Sequence, residues 1–461
     1  MPNQETYENT LAYVNTNAIP SELKITDIRF ADIAGAPMHC SLIKVYTNQG
    51  LVGFGEVRDG ADKTFALMLK SRLLGENPCM IDKLFRRIKQ FGGHARQGGG
   101  VSGLEIALWD LAGKAYNIPI YQMLGGKFRE KIRMYCDTDV NGKDTGTAMG
   151  EALKKRMEKG YTFLKMDLGI NQIIHEPGTL SAPLGFLEEM RSLSKSWYNR
   201  KQSNHSELEL CNLRNRHYDI YNIAHPFTGI HVTEKGLDML EQYVADVRSV
   251  IGHEVPLAID HFGHIGIENC IKLGQRIDKF NLAWMEDMLP WSYTDQYKRL
   301  SQSVATPLCT GEDIYLKENF KPLLESGALS VIHPDVLTTG GILETKKIGD
   351  MAQEYGVAMA IHMAESPIAC LAAVHVAAAT ENFLALEFHS SDVDWWDDII
   401  ISKLPKPLVQ NGFIAVPDAP GLGIEELNDE VIAEHLHPEI PGQWEPTDKW
   451  NHYWSNDRLW S

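Results

Sequence analysis

No stretch of the 461 residues approaches the roughly 18 to 20 consecutive apolar residues that a membrane-spanning helix needs. The opening Met-Pro-Asn-Gln-Glu-Thr has neither a basic nor an apolar targeting region, so no signal peptide is expected. Basic charge is in deficit. Lys and Arg number 44 against 61 Asp and Glu, a net charge of −17, and a phosphate backbone would find no basic face to bind. The seven cysteines (40, 79, 136, 211, 270, 309 and 370) are dispersed, with no CxxC pair. A disulfide framework is excluded, and each reads as a small buried hydrophobe in a reducing cytoplasm. What remains is an ordinary globular balance, 44% hydrophobic and 23% charged, too long for one simple core.

From Lys24 to Val57 the chain alternates as strands, KITDIRF and then HCSLIKVYTNQGLVGFGEV, with a hairpin signal at Asn48-Gln49-Gly50. Residues 62–125 read as helices. Within Val101 to Ala115, Leu104, Ala107, Leu108, Leu111 and Ala112 share one stripe, and Gly98-Gly99-Gly100 reads as a flexible lead-in. After about Lys131 eight short apolar runs alternate with amphipathic stretches: IRMYCD, YTFLKMD, VPLAID, NLAWMED, TPLCTGED, LSVIHPD, VAMAIH and FLALEF. That is the pattern of a (β/α)8 barrel of the TIM type.

The spacing agrees. Asp260 to Glu286 and Glu286 to Glu312 are 26 residues each, Glu312 to Asp335 is 23, Asp335 to His362 is 27 and His362 to Glu387 is 25. Each step accommodates a strand, a helix and two loops. Asp167 to Asp260 is 93, which marks an insertion at about 170–232, either a lid or oligomer contact or a passive surface excursion. The expected architecture is α/β: an α+β capping domain over residues 1–130, completed by 405–461, and a barrel over 131–404. Trp444, Trp450, Trp454 and Trp460 in the tail are expected to cover apolar surface.

The ends of the runs carry Lys165 and Asp167, Asp260, Glu286, Glu312, Asp335, His362 and Glu387. In this fold such positions face the substrate. A single carboxylate there is commonly a helix cap or an ion-pair member. Asp260, Glu286 and Glu312, however, end three consecutive strands, and three clustered carboxylates call for a cation. Hard oxygen ligands without thiolates favour Mg²⁺ over zinc. Asp335 and His362 end the next two strands and compose a His–Asp general acid/base, although a lone histidine would read as a core residue.

With ALWDLAGK (Ala107 to Lys114), IPIYQMLGG (Ile118 to Gly126), HPDVLTTGGILE (His333 to Glu344) and PGLG (Pro420 to Gly423) in this order, the chain resembles the enolase superfamily, in its mandelate racemase-like group. The resemblance spans about Lys24 to Glu425. It implies that Asp260, Glu286 and Glu312 bind Mg²⁺, that His362 and Asp335 form the catalytic dyad, and that Glu387 is the eighth-strand glutamate. It further implies removal of the proton α to a substrate carboxylate, with Mg²⁺ and a protonated Glu387 stabilising the enediolate. Three carboxylates, one Mg²⁺ and Lys165 bring the local charge to about zero, so an anionic substrate is admissible on an acidic protein.

Two departures from the group's pattern narrow the reading. The second strand carries Lys165-Met166-Asp167 where relatives have Lys-x-Lys; both side chains face the barrel interior, and Asp167 is a poor base that is expected to pair with Lys165. A racemase needs bases on opposite faces of the carbon. The expectation is therefore dehydration of an acid sugar to a 2-keto-3-deoxy acid, His362 taking the α-proton and then assisting departure of the β-hydroxyl, with Lys165 contacting the substrate carboxylate or tuning the site. The other departure is Asp260-His261-Phe262-Gly263-His264: some acid-sugar dehydratases have a histidine where Phe262 stands, leaving His261 and His264 as candidates for a second acid/base. His333 shares a face with Asp335 and is expected to be a hydrogen-bond partner.

Arg58, on a capping loop, is expected to grip the distal end of a substrate; His94 and Arg96 are similar candidates, each equally readable as a solvated loop residue. An epimerase or cycloisomerase with the same first step is the alternative, and a catalytically silent sugar-acid binding protein the second. Relatives with a lysine on the sixth strand are disfavoured, since Asp335 stands there. The expected ligands are Mg²⁺ and a small acid sugar, with no nucleic acid or membrane, in a cytoplasmic homo-oligomer.

Overall fold

The computed structural model describes residues 4, 16–139, 143–183, 185–222, 229–260, 265–440 and 442–454. The chain divides into two compact units, one of residues 1–136, 311–322 and 332–461, the other of 137–310 with 323–331. No helix among the described residues is long and apolar enough to cross a membrane.

In the first unit the alternating segments form an antiparallel sheet of β1 (Ile25–Ala34), β2 (His39–Thr47) and β3 (Val52–Val57), with Ile33 opposite Cys40 and Ser41 opposite Val57. The helix expected over 101–115 is α1 (Gly99–Tyr116). It buries nearly all its residues rather than one stripe. Glycines make this possible: a Cβ on Gly55 would lie 2.1 Å from the Gly103 carbonyl oxygen, so strand and helix touch backbone to backbone. The Gly98–Gly100 run is therefore not a flexible lead-in. Gly99 and Gly100 form the first helical turn, where a Cβ would meet the Arg58 nitrogen at 2.6 Å and the Phe65 carbonyl carbon at 2.3 Å.

The C-terminal segment runs along β1 through isolated antiparallel bridges. His437 N–H donates to the Asp32 carbonyl at 2.8 Å and Trp444 N–H to the Phe30 carbonyl at 2.9 Å, covering the edge that β1 would otherwise expose. The tail tryptophans do more than cover apolar surface. Trp454 is 62% exposed beneath the Arg72 guanidinium, and the Lys44 ammonium lies over Trp444. Both are cation–π contacts. Trp460 lies outside the described residues.

The eight apolar runs become parallel strands in sequence order: β4 (Lys131–Cys136), β5 (Leu164–Asp167), β6 (Leu257–Asp260), β7 (Met285–Glu286), β8 (Leu308–Thr310), β9 (Val331–Ile332), β10 (Ala358–Ile361) and β11 (Phe383–Phe388). β11 returns to pair with β4, Glu387 beside Tyr135, and the sheet closes as a barrel. A helix follows each of the first seven strands: α2 (Gly146–Glu158), α3 (Glu234–Ile251), α4 (Ile267–Ile277), α5 (Thr294–Ser301), α6 (Lys317–Ser326), α7 (Ile342–Glu354) and α8 (Pro367–Ala379). Between β5 and α3 run two further helices, Phe186–Tyr198 and Glu207–Asn222, and Leu180–Ser181 pairs with His231–Val232 before the chain re-enters at α3.

Buried carboxylates tie helix ends into the first unit. Glu105 accepts N–H groups from Ile342 at 2.7 Å, Leu343 at 3.1 Å and Trp109 at 2.7 Å, so it caps α7 from another helix. Gly341, at φ +103°, turns the chain there, and a Cβ on it would sit 2.0 Å from the Glu105 carboxylate. Asp110 accepts from Phe54 N–H at 2.9 Å, Leu422 N–H at 2.8 Å and the Lys114 ammonium at 2.6 Å. The conspicuous segments ALWDLAGK, TTGG and PGLG thus owe their pattern to packing. Glu56 plays the same part at α8, accepting from the N–H groups of Ser366 and Ala369 and from the Ser366 hydroxyl.

Burial pushes the Glu56 carboxyl up to about 7 despite those donors. Because this folded-state value lies above the ordinary one, Glu56 contributes full stability below about pH 4.5 and progressively less as pH rises towards about 7. Thermal melts of wild type and Glu56→Gln between about pH 5 and about pH 8 should therefore converge in slope only above about pH 7, with wild type losing relative stability across the lower range.

Candidate active site

Strand register brings the first group together. Lys165 and Asp167, two apart on β5, lie beside Ala258 and Asp260 of β6, and Asp260 pairs in turn with Glu286 of β7. The Lys165 ammonium, 1% exposed, sits 3.1 Å from an Asp260 oxygen and 3.0 Å from a Glu286 oxygen, and Trp284 Nε1–H donates to the other Glu286 oxygen at 2.8 Å. The Lys165 ammonium thus bridges Asp260 and Glu286. Asp167 is half-buried, and its carbonyl accepts from Gln172. Two carboxylates against one ammonium leave a negative remainder of hard oxygens. Cys309, on β8, adds no thiolate, because burial and the nearby Glu286 push its thiol well up. The donor set suits a hard divalent cation.

The second group lies in the first unit. Asp335 and His362 meet as a parallel bridge between the chain after β9 and the end of β10, with Nδ1 of His362 2.5 Å from Asp335 Oδ2. Nδ1 therefore carries the hydrogen, and Nε2 is the working nitrogen, 3.2 Å from Glu312 Oε2. Arg58 lies in the loop that follows β3. Its guanidinium is 1% exposed and pairs with Asp335, with Asp59 at 2.9 Å and, more distantly, with Glu312 at 3.7 Å and Glu365 at 3.6 Å. Burial and the Asp335 charge raise the Glu365 carboxyl well above the usual range. At Asp59 burial pulls upward, but Arg58 and Arg96 outweigh it and hold the group at about 2. Arg96 is engaged with Asp59 and Asp313, and His94 accepts from the Tyr315 N–H.

Around Glu387 stand three imidazoles. His333, fully buried, lies 3.2 Å from Glu387 Oε2 and hydrogen-bonds the Tyr135 hydroxyl; His389 lies 3.3 Å from Oε1; His362 Nε2 is 3.9 Å from Oε2. His261 and His264 lie outside the described residues. The sequence reading missed Asp59, Tyr135, Glu365 and His389. His389 was legible in principle, being two residues beyond Glu387 on the same strand face. Nothing in the pattern distinguished Asp59, Glu365 or Tyr135 from ordinary neighbours.

Replacing Lys165 by Met would leave Asp260 and Glu286 facing each other unbalanced. Lys165→Met is expected to lose about 3–5 kcal/mol in metal-free buffer, and added Mg²⁺ should raise its melting temperature more than that of wild type. Melts with Mg²⁺ and with a chelator check this; identical responses of the two proteins would contradict the charge balance described.

The comparisons with known proteins agree with this architecture. Residues 23–125 match the model of the mandelate racemase/muconate lactonizing enzyme N-terminal domain, and residues 217–431 the enolase C-terminal domain-like model. A Haloferax volcanii protein named D-xylonate dehydratase is 30% identical over 435 residues, 93% of this chain and 92% of that one. A Saccharolobus solfataricus protein named arabinonate dehydratase is 28% identical over 414 residues, 87% of this chain and 92% of that one. A mandelate racemase/muconate lactonizing enzyme-like protein from Rubrobacter xylanophilus superposes with a TM-score of 0.74 at 27% identity, over 91% of this chain and 99% of that one. The chain belongs to the enolase superfamily of enzymes, in its mandelate racemase-like group.

Proposed function

We propose that this protein is a hydro-lyase, a Mg²⁺-dependent dehydratase that converts an acid sugar to its 2-keto-3-deoxy acid. The observation that carries the proposal is the His362–Asp335 pair, closed at 2.5 Å with Nε2 directed to Glu312, in a chain whose relatives are named D-xylonate, arabinonate and D-galactonate dehydratases.

Asp260, Glu286 and Glu312 would hold the ion, and Lys165 would balance the first two. Bound there, Mg²⁺ would supply positive charge against the substrate carboxylate oxygens on which negative charge develops. His362 Nε2 removes the α-proton, while Asp335 fixes the tautomer and offsets the imidazolium charge. Arg58 holds Asp335 in place. Glu387, with imidazole nitrogens 3.2 and 3.3 Å from its two oxygens, would if protonated donate a hydrogen bond to the enediolate, as the resemblance implies. Asp167 in the place of a lysine argues against a second base and so against racemisation. The domain limits proposed are a cap of 1–130 with 405–461 and a barrel of 131–404. The protein would act on a small acid sugar as a cytoplasmic homo-oligomer.

Incubation with D-xylonate, an arabinonate or D-galactonate and Mg²⁺ should yield α-keto acid, and chelation should abolish it. His362→Asn should lower turnover roughly 10²-fold to 10⁴-fold and stop deuterium entering the α-position of recovered substrate in D₂O. Deuterium uptake by wild type without keto acid would indicate an epimerase. Binding without either would indicate a silent sugar-acid protein. Retention of both activities by His362→Asn would remove the histidine from the chemistry.

A further inference from the structure

Dehydration requires two proton movements, one away from the α-carbon and one onto the departing β-hydroxyl. A hydroxide ion leaves poorly, so the second is as much in need of a positioned group as the first. His362 is committed on its Nδ1 side to Asp335 and offers one nitrogen only. The structure places another imidazole near it. The rings of His362 and His389 are 5.9 Å apart at 57°, and nitrogen or oxygen atoms of His362, Glu387 and His389 all lie within 4.8 Å of one another.

The three imidazoles around Glu387 differ in access. His333 is completely buried and held by Tyr135. His362 is 7% exposed at its side chain, and His389 is 20% exposed, so His389 is the most open of the three. It continues the inward face of β11 beyond Glu387, whose carboxylate lies 3.3 Å from its Nε2. Ring centres about 6 Å apart suit two groups that each work at about 2.6–3.2 Å from neighbouring atoms of one substrate.

We propose that His389 is a catalytic residue, the general acid that protonates the leaving β-hydroxyl. This rests on the dehydratase reading above and replaces the expectation that His362 performs both transfers. His362 Nε2 takes the α-proton; the electron pair of that C–H bond becomes the new C=C as the β-carbon–oxygen bond breaks. The departing oxygen takes its proton from the His389 imidazolium and leaves as water. The resulting enol tautomerises to the 2-keto-3-deoxy acid, and each ring exchanges one proton with solvent before the next turnover.

The test uses His389→Gln and His389→Asn with whichever of D-xylonate, an arabinonate or D-galactonate wild type dehydrates, and with the analogue bearing fluorine in place of the β-hydroxyl. Fluoride departs without a proton. Keto-acid formation from the sugar acid should fall roughly 10²-fold to 10⁴-fold in both variants. Deuterium exchange at the α-carbon and fluoride release from the analogue should stay within a few-fold of wild type. Equal losses in all three assays would assign His389 a merely structural role, and unchanged keto-acid formation would leave it no role in the step; either overturns the proposal with the dehydratase reading intact. A wild type inert towards all these acids in both exchange and elimination would instead overturn the dehydratase reading and this assignment with it.

Discussion

Buried carboxylates at the ends of the barrel strands repel one another, and each group is arranged about one buried cation. At an effective dielectric constant near 20, two like charges 4 Å apart oppose each other by about 4 kcal/mol, comparable to a large part of a protein's net stability. Lys165 answers this for Asp260 and Glu286, and Arg58 for Asp335 and Asp59. Both cations are 1% exposed, so solvent screens neither pair. The same condition explains why Glu365, buried beside Asp335, is driven towards its neutral form while Asp59, with two guanidinium groups at hand, is not.

A second use of buried acids holds the first unit together. Glu56, Glu105 and Asp110 each accept several backbone N–H groups from distant parts of the chain. Two of them serve the N-termini of α7 and α8, the helices that follow the strand ends bearing Asp335 and His362. A carboxylate at a helix N-terminus meets both unsatisfied donors and a favourable dipole. The helices that follow Asp335 and His362 are therefore capped by acids far along the chain from either residue.

Much of the fold was legible because period and spacing are local properties. Eight apolar runs, the last six at steps of 23 to 27 residues, admit few arrangements other than a barrel, and the runs coincide with β4 to β11. The candidate site was legible in part for the same reason: strand ends in a barrel converge, so Asp260, Glu286, Asp335, His362 and Glu387 could be named from position alone. Glycine seams were misread. Gly99 and Gly100 looked like slack chain because composition reports freedom of the backbone, whereas a packed partner, which would lie 2.3–2.6 Å from an added Cβ, uses the missing side chain as room. The burial of Arg58 was not legible for a related reason, since a long cation near a loop looks exposed until its four acidic neighbours are seen.

The order of elements, the closure of the barrel and the identity of its inward acids were determined by the amino-acid sequence itself, because alternation and interval are set by neighbours along the chain. Tertiary structure alone decided which acid meets which base. Lys165 meets Asp260 and Glu286, and Glu387 gathers His333 and His389, through distances between strands that no linear pattern encodes. Charge pairing falls off over a few ångströms, so the partners follow from packing and register, and the chemistry follows from the partners.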